Sequence, residues 1–99
     1  MPMVSQLRTV SVASITVADS STRLPINTIR GTPLIQQVEM TVEDAQIRWW
    51  DDGTDPTSTV GQVANVGTRI VLANRGRIEG FRCIRTGGTS ATLQTEFLA

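Results

Sequence analysis

Apolar and polar positions alternate on both sides of Gly87-Gly88 between Phe81 and Phe97. In the second arm Ala91, Leu93, Thr95 and Phe97 share one parity and Thr92, Gln94 and Glu96 the other, the period of a strand with one dry face and one wet face. Glycine reaches the positive φ angles of a tight reversal, so the stretch predicts a β-hairpin closed by the glycine pair. Phe81, Leu93 and Phe97 are assigned to the core.

The same alternation organises most of the chain. Residues 8–18 are rich in β-branched side chains and predict a strand. Val10 and Val12 have even parity and Ile15 and Val17 odd parity, which predicts a bulge or bend near Ala13-Ser14 where the inward face switches. Residues 19–22 are a turn cluster, and residues 24–27, with Pro25, predict a short extended piece. Residues 34–42 predict a half-buried strand with Val38 and Met40 inward. After a reversal at Glu43-Asp44, residues 45–50 continue with Ala45, Ile47 and Trp49 inward and Gln46, Arg48 and Trp50 outward, so residues 34–50 predict a second hairpin. Residues 51–59 combine Asp-Gly with Asp-Pro, the densest turn signal in the chain, and predict a surface loop. Residues 60–67 have apolar positions three apart between Gly61 and Gly67, compatible with a single helical turn or an irregular crossing. Residues 68–73 predict a strand, followed by turns at residues 74–76 and 77–80. Residues 1–7 show no period and predict a loose N-terminal arm. The expected fold is all-β: a small antiparallel β-sandwich of about six or seven short strands, with little or no helix, formed by residues 8–99 as a single domain.

Composition narrows the partners. Ninety-nine residues support one domain with one core, and 39% apolar against 18% charged residues is too apolar and too weakly charged for a disordered segment. Nine basic and nine acidic residues balance, so no positive field is available to hold a phosphate backbone, and nucleic acid is not an expected partner. All the basic residues are arginine, whose planar fork suits contacts across interfaces, although a GC-rich genome gives the same bias. No apolar run approaches the roughly 20 residues that span a bilayer, and the N-terminus has no secretory pattern, so the expectation is a soluble product of the cytoplasm with no membrane partner.

Catalytic readings find little to stand on. The chain has no histidine and no tyrosine, which removes Ser-His-Asp and Cys-His arrangements. Asp51, Asp52 and Asp55 lie together, but an acid/base pair needs one carboxyl in an apolar setting and these share the most polar loop. Their spacing does not reproduce a calcium loop, and aspartate suits turns for its own backbone bonds. One cysteine, Cys83, without histidine cannot build a zinc site or an internal disulfide, and is assigned as a buried filler. No enzyme activity, metal or cofactor is expected. The adjacent tryptophans point to opposite faces of a strand: Trp49 goes inward with Ile47, and Trp50 is left outward. There it either stacks on a sugar or a partner, or is covered by the chain's own arm or a loop. Arg48, Arg82 and Arg85 are expected on the same outer face, making Trp50 and these arginines the candidate interaction surface. Met1, Pro2, Met3 and Val4 are candidate arm contacts to a neighbour.

Residues 47–61 and 81–93 carry a resemblance. With the patterns IRxxxDGTxPTxTxG and FRxIRTGGTSATL in this order, the second half of the chain resembles a group of small tailed-bacteriophage virion proteins. This chain has the Trp49-Trp50 pair before the aspartate loop and ends its last strand in Phe97-Leu98 rather than tyrosine. The resemblance implies a non-enzymatic virion component, foremost a capsid decoration or cement protein that binds the major capsid protein and other virion proteins and stabilises the shell. It also implies a homo-oligomer, with a trimer expected from shell symmetry. The alternative is a tail accessory protein or a glycan- or receptor-binding module on the virion.

Overall fold

The computed structural model describes residues 7–25, 29, 31 and 35–99. The arm residues Met1, Pro2, Met3 and Val4, and the extended piece at Ile26-Asn27, lie outside the described residues. Among the described residues the chain forms eight strands and a six-residue helix, and Ile29 and Gly31 are also helical: β1 (Thr9–Val17), β2 (Thr22–Arg23), β3 (Gln37–Glu43), β4 (Ile47–Trp50), β5 (Gln62–Ala64), β6 (Arg69–Leu72), α1 (Arg75–Gly80), β7 (Arg82–Arg85) and β8 (Ala91–Leu98). The strands make two antiparallel four-stranded sheets, ordered β1-β8-β3-β6 and β2-β7-β4-β5. The expected all-β sandwich is therefore what the chain adopts.

The alternation translates directly into burial. On β8, Ala91, Leu93, Thr95 and Phe97 are buried while Gln94 and Glu96 are exposed, and on β3 Val38, Met40 and Val42 are buried. Both strands present these rows to Ile47, Ala64, Phe81 and Cys83 of the second layer, and all of the apolar ones belong to one contiguous core. Trp49 packs on this core from its margin, its ring 5.7 Å from that of Phe81. The hydroxyl of Thr95, buried in the apolar row, donates to the Leu93 carbonyl at 3.2 Å. A local acceptor removes the penalty of an unpaired buried polar group.

Both predicted hairpins are absent. β7 and β8 lie in different sheets, and so do β3 and β4, so the segments 82–98 and 37–50 are arches that carry the chain from one layer to the other. Among the described residues the glycines with positive φ are Gly53, Gly61 and Gly67, and the Gly87-Gly88 pair makes no tight reversal. A two-residue turn reaches a neighbouring strand about 4.8 Å away, whereas stacked sheets stand about 10 Å apart. Residues 86–90, at about 3.3 Å each, are long enough for the wider crossing. The shorter arch at residues 44–46 bends through Asp44, which adopts φ 73°, with Ala45 N–H bonded to the Glu43 carbonyl at 2.9 Å. Asp44 tolerates this left-handed backbone, and its carboxylate accepts from the Thr92 hydroxyl at 2.8 Å. The consecutive strands that do pair are β4 and β5, across the long loop at residues 51–61.

Other local expectations shift by a few residues. The irregularity of β1 falls between Thr9 and Ser11, not at Ala13-Ser14. From Ser11 onward the odd residues face inward, and Val12 stands on the outer face opposite Glu96. Residues 60–67 contain strand β5 and no helical turn. The turns expected at residues 74–80 are a six-residue helix, whose first turn is capped by the Asn74 side chain accepting from Arg77 N–H at 2.9 Å. Thr22, the end of the expected turn, instead pairs with β7 together with Arg23.

Gly80 closes this region. Its carbonyl accepts from Gly53 N–H at 2.9 Å, and a Cβ at position 80 would stand 2.7 Å from the Asp51 carbonyl oxygen and 3.0 Å from Gly53 N. Both neighbours are backbone and cannot rotate away. Gly80→Ala is therefore expected to destabilise the fold by about 1–3 kcal/mol, as overpacking does. The midpoint of urea unfolding checks this, and an unchanged midpoint refutes the close approach.

Candidate functional site

The outward row of the β2-β7-β4-β5 sheet holds the sequence-nominated surface, and most of it is engaged within the chain. Trp50 pairs with Arg82 in register and is half-buried. Arg48 donates from Nη1 to the Gly61 carbonyl at 2.8 Å and from Nε to the Ser58 carbonyl at 3.3 Å. Arg82 donates from Nη1 to the carbonyls of Glu79 and Phe81, both at 2.9 Å, and its Nε lies 3.9 Å from the Asp55 carboxylate. Through these contacts the two arginines hold the 51–61 loop against the sheet. Arg85 leaves the proposed face altogether. Its register partner is buried Ile47, and its Nη1 donates to the Ser90 hydroxyl at 3.1 Å. Its Nη2 lies 3.9 Å from Asp19, and its buried Nε has no hydrogen-bond partner among the described residues.

The aspartates of the loop also turn to local duty. Asp52 accepts Thr54 N–H at 3.0 Å, an Asx turn, and this bond holds its carboxyl below the usual aspartate range. Asp55 accepts the Ser21 hydroxyl at 2.8 Å, and Asp51 lies 3.8 Å from Arg77. Among the described residues no group of three or more acidic, histidine or cysteine side chains is arranged to hold a metal ion. Cys83 is buried, its Sγ 3.5 Å from the Thr22 carbonyl, and burial pushes its thiol up to about 12.

The open surface lies on the other layer. The outer face of the β1-β8-β3-β6 sheet is crossed by a ladder of side-chain hydrogen bonds: Thr9 to Glu96 at 2.8 Å, Ser14 to Gln94 at 2.7 Å, Gln94 to Glu43 at 3.0 Å and Gln37 to Glu39 at 2.7 Å. Arg69 pairs with Glu39 on the same face. Between these rungs lies a shallow depression of about 360 Å³ bounded by Val12, Thr41, Arg69 and Glu96. Val12 is 69% exposed and Val71 48%, so large apolar side chains stand among oriented polar groups. Sequence reasoning missed this face because a predicted switch of the inward face near Ala13-Ser14 turns Val10 and Val12 inward. Their mismatch in parity with Ile15 and Val17 was the available signal.

Comparisons with protein-family models, with curated proteins and with solved structures give no match to this chain.

Two outcomes are expected from these contacts. Arg48→Met keeps the aliphatic packing and deletes both carbonyl contacts to the loop, so it is expected to lower stability by about 1–2 kcal/mol, less than a fully buried charged hydrogen bond because the side chain is part-exposed. Urea unfolding followed by tryptophan emission measures it, and an unchanged midpoint removes the loop-holding role. Burial raises the Cys83 pKa above its unfolded value, so its contribution to stability is full below the ordinary thiol value of 9.0 and is lost as pH rises toward 12. Native protein is accordingly expected to resist a thiol reagent at pH 8 and to react on unfolding. Rapid labelling of the folded chain contradicts the burial.

Proposed function

We propose that this chain is a non-enzymatic bacteriophage virion protein that decorates or cements the capsid shell, binding the major capsid protein through the outer face of the β1-β8-β3-β6 sheet. The observation that carries the reading is that face itself. It combines exposed Val12 and Val71 with a fixed ladder of hydrogen-bonding side chains around a shallow depression. Protein interfaces have this mixed character, with apolar contacts set among satisfied polar groups. The resemblance over residues 47–61 and 81–93 supplies the class of particle. A cement protein works by adding burial and hydrogen bonds across the joints between shell subunits, and a rigid sheet face presents them without an ordering penalty on binding.

The particle tests the reading. Quantitative mass spectrometry is expected to find hundreds of copies per virion, and cryo-microscopy to place them on the head. Only a handful of copies, or density confined to the tail, overturns the shell assignment. Val71→Glu puts a charge on the binding face at a position exposed in the free protein. It is expected to weaken binding to shells stripped of the protein by tenfold or more, about 1.4 kcal/mol, while leaving thermal unfolding unchanged.

A further inference from the structure

We infer that β1 is an interface for a second copy of this chain, the two β1 strands pairing antiparallel about a two-fold axis at Ser14. The inference is independent of what the outer sheet face binds.

The four sheet edges are treated differently. β2 has two residues and β5 three, too short to template a partner. β6 carries Arg69 at its start, paired with Glu39. β1 has nine residues, Thr-Val-Ser-Val-Ala-Ser-Ile-Thr-Val, with no charge and no proline. Proteins blunt exposed edges with charge, proline or short length, and β1 shows none of these. Among the described residues its strand pairing is with β8 alone.

Its backbone orientation follows from its neighbours. Arg8 and Ala99 exchange both backbone bonds, at 2.9 and 3.0 Å, so Ala99 bonds toward β1. Leu98, next along β8, turns the other way, its carbonyl accepting Gln36 N–H at 2.9 Å. Alternation along an antiparallel pair then directs Phe97, Thr95, Leu93 and Ala91 toward β1. Their register partners Ser11, Ala13, Ile15 and Val17 are therefore the bonded residues of β1. Val12, Ser14 and Thr16 aim their N–H and C=O groups at the open side. Ala18, next in that row, already gives its carbonyl to Arg85 N–H at 3.0 Å.

This open row is self-complementary. Two copies related by an axis at Ser14 place Ser14 opposite Ser14 and Val12 opposite Thr16, and each such pair exchanges both bonds. The outward faces then match Val12 with Thr16 on either side of the serine pair, and the inward faces match Ala13 with Ile15, so β-branched side chains meet across the joint at the flanking positions. No like charges meet. Val12, the most exposed large apolar side chain of the strand, gains cover from the partner's Thr16.

Sedimentation equilibrium of the full chain is expected to give twice the 10.7 kDa chain mass at micromolar concentration. Ser14→Pro removes an N–H that β8 does not use, so it is expected to halve the mass while unfolding stays cooperative. Val12→Lys does the same without touching the backbone, and covers the case in which the proline variant fails to fold. Ser14→Cys is expected to give a disulfide-linked dimer under mild oxidation, whereas the native chain, with Cys83 buried, gives none. A wild-type monomer, a mass of three chains, a dimer that persists in Val12→Lys, or no cross-link through Ser14→Cys each overturns the β1 pairing.

Discussion

The inward row of β8 is the constraint from which the rest of the molecule follows. β8 is bonded on one side to β1 and on the other to β3, and its Ala91, Leu93 and Phe97 are withdrawn from water together with the facing residues of the second layer. Each large apolar side chain buried this way contributes about 1.5–3 kcal/mol. A one-residue slip of register would turn Leu93 and Phe97 to solvent and bring Gln94 and Glu96 inside. The pairing partners, the position of the outer polar ladder and the open edge of β1 are all set by that register.

What the sequence made legible is the alternation, and what it hid is the direction of each connection. A strand with one dry face reads the same whether the next strand lies beside it or opposite it, because in both cases the apolar row points into one core. Consecutive strands usually neighbour each other, which is why Phe81 to Phe97 and residues 34–50 read as hairpins. Here the chain changes layer at both. Val12 misled for a related reason. A valine in a β-prone run looks like core, but Val12 is in unbroken register with Ile15 and Val17 and of opposite parity to them, which turns it outward. Trp49 and Ile47 do face inward, and each has one buried register partner, Cys83 for Trp49 and Ala64 for Ile47.

The candidate surface shows how a charged residue's fate depends on the loop beside it. Arg48 and Arg82 can serve another protein only where no loop of their own chain reaches them. The 51–61 loop instead folds back, and its carbonyls at Ser58 and Gly61 need donors that a single guanidinium can supply. Arginine on a sheet face is then a clasp for the chain's own backbone. Exposed valines remain in both layers, Val63 beside Arg48 and Val12 and Val71 on the other sheet, where short side chains such as Ser14, Thr41 and Thr92 cannot shield them.

The arches between layers also bear on how the molecule is made. β1 waits for β8, which is synthesised last of the strands and comes to lie between it and β3. Such an order leaves little that can settle early, since the partners of most strands are distant in the chain and closing those distances is slow. During translation the uncharged β1 segment is thus unaccompanied for most of the chain's emergence, the interval in which chaperone capture matters most.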